Sequence, residues 1–176
     1  MHVNNWLAEH GYLVTKPITK SSTAAWVHEY VDWSQTKAYS MGIGFVYLNL
    51  AGREPQGIVD PAEAQAVMQA IRRDFLSSED PEHSGTKIGT AVDFAREIHS
   101  GPHLDIDADM FLGFAPEYRS SWISATGSLS VKKQDGSYVL GPTVVPSNKM
   151  WSGDHVSVAP EHVRGLFFSN RKLAVP

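Results

Sequence analysis

The apolar positions of the sequence form one long run and one regular stripe. The run lies in "GIGFVYLNLAG", residues 42–52, and its near continuity over 43–50 predicts a strand buried on both faces. Asp60, Pro61 and Glu63 then predict a helix with Asp60 as its N-cap. The stripe belongs to this helix, and its members recur on one helical face: Ala64, Val67, Met68, Ile71 and Phe75.

Shorter patterns predict the remaining elements. "NNWLAEHGYLV", residues 4–14, predicts a short helix capped by Asn4 or Asn5 and ended by Gly11. "LSVKKQDGSYVL" predicts a hairpin that turns at its Asp-Gly pair, residues 135–136. Further strands are predicted at "KIGTAVDFAREI", "DMFLGF", "SWISAT" and "GLFFSN", the first of them running into a short polar segment. With no repeat and no linker, these elements predict one α/β domain over residues 1–176.

Composition narrows the class of protein. The chain has 176 residues, of which 42% are apolar and 19% charged, so a globular domain is expected. The net charge is −4 and the 15 Lys and Arg are scattered, which argues against binding a nucleic-acid polymer. No apolar run is long enough to span a bilayer, and the N-terminus does not have the pattern of a signal peptide. The lack of cysteine excludes disulfides and thiolate metal sites, and leaves both a cytoplasmic and a periplasmic location open.

Aspartates alternate at positions 105, 107 and 109, as at the start of a calcium-binding loop. An EF-hand needs glycine at the sixth position and glutamate at the twelfth, where this sequence has Met110 and Pro116. The pattern therefore favours a solvated acidic turn.

Two histidines, His99 and His103, have the spacing of one helical face. Gly101 and Pro102 lie between them and exclude a regular helix there. A metalloenzyme that used these histidines and the nearby aspartates would need their side chains to converge.

The turn "GREPQG", residues 52–57, follows the predicted buried strand. Ligand sites of open α/β sheets cluster at the carboxyl ends of strands, so Arg53 is a candidate to bind an anionic substrate. The other interpretation is an ion pair between Arg53 and Glu54 that stabilises the turn, and the spacing alone slightly favours it.

The stretch "WSGDHVSVAPEHVRG", residues 151–165, contains a candidate metal ligand. His155 follows Asp154 after a Ser-Gly turn, and histidine is the commonest metal ligand in proteins. A catalytic zinc needs at least three protein ligands, so this stretch alone favours a structural histidine.

Four stretches, taken in order, resemble one family. They are "VNNWLAEHGYL", "DWSQTKAYSMGIGFVYLNLAGREPQGIV", "DMFLGFAPEYRSSW" and "WSGDHVSVAPEHVRGLFFSNRKL". Together they are similar to the C-terminal part of the type I phosphodiesterase/nucleotide pyrophosphatase family of the alkaline phosphatase superfamily. The resemblance covers nearly the whole chain, and its specificity lies in the order of the motifs.

The resemblance implies a fold and an activity. The fold would be the C-terminal portion of an alkaline-phosphatase-like α/β/α sandwich. The activity would be phosphoester hydrolysis by two divalent metals, zinc or manganese, with a Thr or Ser nucleophile. By resemblance His155 becomes a metal ligand, Asp154 a residue that orients the loop or accepts a hydrogen bond from a ligating imidazole, and His162 a bystander.

The sequence departs from the family in ways that limit this expectation. The nucleophile segment, the Asp-x-x-x-His ligands and the Ser-Asp-His-Gly motif have no counterpart, and Pro-Asp-Leu is replaced by Ala108-Asp109-Met110. Val-Pro-Gly near the end reads Val163-Arg164-Gly165. We therefore expect the C-terminal part of a longer enzyme, with at most a partial metal site and no activity alone. Exposed edges of the strand at 43–50 would promote self-association.

The alternative hypothesis is a truncated relative without catalytic activity. It would bind an anion or a protein partner through Arg53 and the exposed sheet.

Overall fold

Helices are interspersed with groups of one to three strands along the described part of the chain. A computed structural model describes residues 1–19, 24–146, 158–163, 165 and 168–172. The described residues form five helices: α1 (Val3–Glu9), α2 (Val27–Tyr30), α3 (Ala64–Ser77), α4 (Ala95–Ile98) and α5 (Trp122–Ala125). They form nine strands: β1 (Ala24–Trp26), β2 (Ala38–Ser40), β3 (Phe45–Leu48), β4 (Glu79–Asp80), β5 (His83–Lys87), β6 (Gly89–Phe94), β7 (Met110–Phe114), β8 (Ser128–Gln134) and β9 (Ser137–Leu140). The protein is thus of mixed α and β structure.

The strands of the described residues pair in three sheets. The largest has the order β2, β3, β7, β6, the second has the order β1, β8, β9, and β4 pairs with β5. Every one of these pairings is antiparallel. An antiparallel sheet can pack one face on the core and leave the other partly solvated.

Strand β3 is shorter than predicted and is not buried on both faces. Val46 and Leu48 are buried, whereas Phe45 and Tyr47 are half-buried. The alternation follows from the pleat, because successive side chains point to opposite faces and only one face meets the main core. The expectation that this strand exposes its edges was also wrong, because β3 pairs with β2 on one side and with β7 on the other.

Helix α1 joins the two larger sheets through two buried asparagines. Asn4 and Asn5 were predicted as N-caps, but they lie inside the helix, whose N-cap is His2. The Asn4 side chain accepts from Ser40 N at 2.7 Å and donates to Ser40 O at 2.9 Å, at the edge of β2. The Asn5 side chain bonds Ser130 N and O of β8 in the same way, each at 2.9 Å. Each amide side chain therefore acts as a short additional strand.

Aromatic rings connect α1, α3 and the largest sheet. The ring of Phe75 on α3 meets those of Trp6 and Phe114 edge to face, with centroids 5.7 and 5.5 Å apart. A Cβ built at Gly89 of β6 would lie 2.3 Å from the Phe75 ring, so only glycine permits this close packing. Helix α3 thereby covers the inner face of the sheet.

The predicted central helix is confirmed, but it begins later than expected. Asp60 starts a turn in which its Oδ1 accepts from Ala62 N at 2.8 Å, and the helix itself begins at Ala64. Of the predicted stripe, Ile71 and Phe75 are fully buried and the other three members are half-buried.

Residues 121–126 were predicted as a strand and instead form helix α5. The Ser121 side chain accepts a hydrogen bond from Ser124 N at 3.2 Å, which caps the first turn. A four-residue helix has too few positions to show a helical period, so the apolar residues resembled a short strand.

The predicted hairpin is confirmed. Strands β8 and β9 turn at Asp135 and Gly136, both with positive φ, which matches the twist of the flanking strands. In the predicted final strand, the described residues Gly165 and 168–170 are not in a strand, and residues 166–167 lie outside the described residues.

Candidate functional site

Arg53 lies at the end of β3 and binds Asp109, the residue before β7. Its Nη1 and Nη2 donate to the two carboxylate oxygens of Asp109 at 2.9 and 2.7 Å. Nη2 also donates to Leu48 O at 2.8 Å, and Leu48 N donates to Asp109 Oδ2 at 2.7 Å. The pair therefore ties the end of one central strand to the start of its neighbour.

Glu54 and Tyr39 complete this group, which we call the Arg53 cluster (Tyr39, Arg53, Glu54 and Asp109). Arg53 Nε donates to Glu54 Oε1 at 3.2 Å, and the Tyr39 hydroxyl donates to the same oxygen at 3.3 Å. Burial, and after it the charge of Glu54, raise the pKa of Tyr39 above its usual range. The hydrogen bonds to Asp109 raise the pKa of Arg53 further. Tyr39 therefore keeps its hydroxyl proton, and Arg53 its positive charge, at neutral pH.

The predicted ion pair of Arg53 and Glu54 is present, and Asp109 is a second anionic partner. Each nitrogen of the guanidinium already donates to a protein oxygen. An external anion would have to compete with the bidentate carboxylate of Asp109. Binding of an anion by Arg53 stays a prediction.

The predicted acidic turn is only partly solvated. Asp105 is exposed, whereas the Asp109 side chain is 18% exposed and paired with Arg53. Asp107 accepts from Ala108 N and lies 2.5 Å from Nδ1 of His99. The alternating spacing places these carboxylates in different environments because the chain enters β7 at this point.

His99 and His103 do not form a metal site with their neighbours in the part of the chain that is described. They line a shallow cleft between Ile98 and Asp107, and the imidazole of His99 packs edge to face on Phe111. Among residues 1–19, 24–146 and the later described ranges, no group of three or more His, Asp or Glu could hold a metal ion. The convergence that a metalloenzyme based on these histidines requires is therefore not observed there.

Asp154 and His155 lie outside the described residues. Val158, the first described residue after them, packs against a small apolar cluster of Ala95, Ala108 and Phe111 on the outer face of the largest sheet. His162, in the same short segment, lies 3.7 Å from Glu161 at the surface.

Parts of two of the four motif stretches meet in the fold, partly through Asn49, a side chain that sequence reasoning did not single out. Asn49 of "YLN" is buried, and its Nδ2 lies 2.9 Å from the carbonyl oxygens of Trp33, Thr36 and Gln56. It therefore joins "DWSQTKAY" to "GREPQG", while the pair of Arg53 and Asp109 joins the latter to "DMFLGF". The available signal was an asparagine within an otherwise apolar strand, which needs backbone partners when it is buried.

The described residues thus form a mixed α and β fold with antiparallel sheets. The Arg53 cluster joins two strands of the largest sheet, and aromatic side chains lie on the partly solvated face of that sheet. No protein-family model, curated protein or solved structure matches the chain. In the described part of the chain, every helix is too short or too polar to cross a membrane.

Proposed function

We propose that the chain is the C-terminal part of a metal-dependent phosphoester hydrolase of the phosphodiesterase/nucleotide pyrophosphatase type. The observation that carries the proposal is the ordered series of motifs from "VNNWLAEHGYL" to "WSGDHVSVAPEHVRG". In this proposal residues 1–176 belong to one α/β/α sandwich of the alkaline phosphatase type. The substrate is a phosphoester, which is bound mainly by residues outside this chain.

Contacts among the motifs support the proposal. "VNNW" binds Ser40, the residue directly after "TKAY", through Asn4, and "GREPQG" binds "DMF" through Arg53 and Asp109. These segments are far apart in sequence but are hydrogen-bonded to one another in the fold. Several motif residues therefore depend on one another structurally. A single shared motif would carry much less weight.

The proposed cofactors are two divalent metals, zinc or manganese, with His155 as one ligand and Asp154 beside it. The described residues do not supply a two-metal site, since no group of three or more potential ligands occurs among them. One histidine cannot hold two metals, so we assign no step of hydrolysis to this chain alone.

Hydrolysis of bis(p-nitrophenyl) phosphate tests the proposal. We expect no zinc-dependent turnover by the 176-residue chain. The complete polypeptide of its reading frame should hydrolyse the diester in zinc or manganese and stop in a chelator. His155→Ala should lower kcat of the complete polypeptide by at least about 100-fold, because a metal ligand is lost, while His162→Ala should have no effect.

A second candidate function is a partner-binding module without catalysis. The half-buried rings of Tyr39 and Tyr47, stacked with centroids 5.4 Å apart on the outer sheet face, favour a partner over a free anion. This candidate predicts no metal-dependent activity in the complete polypeptide. Tight, stoichiometric zinc binding by the 176-residue chain would count against it.

A further inference from the structure

His2 is a buried residue at the point where helix α1 meets helix α5. It is the N-cap of α1 and is only 5% exposed. Its Nδ1 lies 2.7 Å from Oγ of Ser121, the N-cap of α5, and its backbone N–H donates to Thr143 O at 2.7 Å. His2 therefore connects α1 both to α5 and to the chain that follows β9.

Two further hydrogen bonds close this contact of residues 1–3 with residues 119–124, which we call the α1–α5 junction. Val3 N donates to Ser124 Oγ at 2.8 Å, and Ser121 N donates to Met1 O at 2.7 Å. Val3 and Ser124 are fully buried. The amides of Val3 and Ser121 therefore report on whether the junction is closed.

The charged groups at the junction are cations. The Met1 ammonium lies near His2 and donates to Arg119 O at 2.7 Å, and the positive charge of Arg119 acts on that ammonium. From β2 and β8, which also contact α1, the bonded residues are serines. Uncharged residues likewise contact the junction from α5 and from the chain after β9: Ser121, Ser124 and Thr143. Within the described residues, no carboxylate pairs with the His2 imidazole.

This environment opposes a charge on His2. Burial, and after it the charge of the Met1 ammonium, lower the pKa of His2 from 6.5 to about 4. When the junction opens, the imidazole is solvated and its pKa returns toward 6.5. The contribution of His2 to the free energy of closing is therefore complete above pH 6.5 and is lost as pH falls toward 4.

We propose that His2 is a pH switch that keeps the α1–α5 junction closed only while its imidazole is neutral, so that mild acid opens the junction. A neutral imidazole fits the buried contact with Ser121. An imidazolium would place a positive charge near the Met1 ammonium with no carboxylate to balance it. Opening releases α5 and exposes Met1 and Val3, which are buried in the closed junction. This inference does not depend on the proposed function.

Hydrogen exchange of the 176-residue chain, followed by NMR, tests the switch. His2→Asn keeps an acceptor for the Ser121 hydroxyl but does not titrate, and His103→Asn is the control at an exposed histidine. Between pH 7 and pH 5, the protection factors of the Val3 and Ser121 amides should fall about 20-fold more in the parent than in His2→Asn, as the two pKa values of His2 require. The Met1 ammonium titrates in both proteins, so its effect cancels in this comparison. His103→Asn should behave as the parent does, and the amides of β7 should be equally protected in all three proteins.

A titration of the His2 ring in the parent, followed by its Cε1–H chemical shift, needs no variant. The ring should be neutral at pH 5 and should titrate with a midpoint near 4. A midpoint near 6.5, or an equal loss of protection in the parent and His2→Asn, would overturn the inference. An equal loss of protection in β7 and at the junction would overturn it as well, because the whole fold would then open rather than the junction.

Discussion

Buried amide side chains explain how a short helix holds two sheets. Asn4 and Asn5 are adjacent, so along a helix they point in different directions: Asn4 bonds Ser40 of β2 and, at 3.3 Å, Ser128 O at the start of β8, and Asn5 bonds Ser130 of β8. The sequence offered them as N-caps, because asparagine is a preferred capping residue. Nothing local could show that both side chains have backbone partners more than 30 residues away. The same limit applied to Arg53, whose neighbour Glu54 was visible but whose partner Asp109 was not.

Replacement of Asn4 should destabilise the protein. Asn4→Ala removes two hydrogen bonds to Ser40 and a longer one to Ser128 O, and it leaves the buried N–H and C=O groups of Ser40 unsatisfied. We expect the free energy of unfolding in urea to fall by about 1–3 kcal/mol. Asn170→Ala, at an exposed position, is the control. Equal midpoints for Asn4→Ala and the control would show that these bonds contribute nothing net.

At the level of the elements, strong local signals gave correct predictions. Helix α3 has an apolar stripe with the helical period, β8 and β9 are joined by an Asp-Gly turn, and β7 is an apolar run. Few other structures accommodate these patterns. Helix α5 has only four residues, and the Ser121 cap that defines it was not recognised. The two-sided burial predicted for β3 was wrong because an apolar run does not specify whether a sheet is parallel or antiparallel.

The ribbon of β4 and β5 should be most stable in mildly acidic solution. The Asp80 carboxylate accepts from the Tyr118 hydroxyl at 2.6 Å and lies 3.0 Å from Nδ1 of His83. The hydrogen bonds from Tyr118 and then His83 lower the pKa of Asp80 from 3.8 to about 2, and the bond to Asp80 raises the pKa of His83 above 6.5. The contribution of Asp80 to the free energy of unfolding is complete above the pKa of Asp80 in the unfolded chain, and it is lost as pH falls toward 2. The contribution of His83 to the free energy of unfolding is complete below the pKa of His83 in the unfolded chain. It is lost as pH rises through the raised pKa of His83 in the folded protein.

Thermal melting across pH checks this network. The difference in Tm between the parent and His83→Gln should be largest near about pH 5 and shrink as pH rises above neutrality. His103→Gln, at another exposed histidine, should show no such trend. A difference that grows with pH would reverse the assigned sign.

For the whole molecule, the sequence predicted a mixed α and β domain and a family of phosphoester hydrolases. The mixed architecture is confirmed, and the finer sandwich and the activity stay proposals. Of the predicted site residues, Arg53 lies in a structural cluster, and His155 and Asp154 lie outside the described residues. The sequence could not reveal that Ala159 packs against Gly113 of β7, because that contact joins residues far apart in the chain.

The DNA immediately upstream of the Met1 codon tests the central claim most directly. Sequencing should find the same reading frame continuing upstream and encoding a Thr or Ser nucleophile segment, the Asp-x-x-x-His ligands and a Ser-Asp-His-Gly motif. These are the residues that a two-metal hydrolase needs in addition to His155. An in-frame stop codon directly before Met1 would contradict the account and favour a partner-binding module.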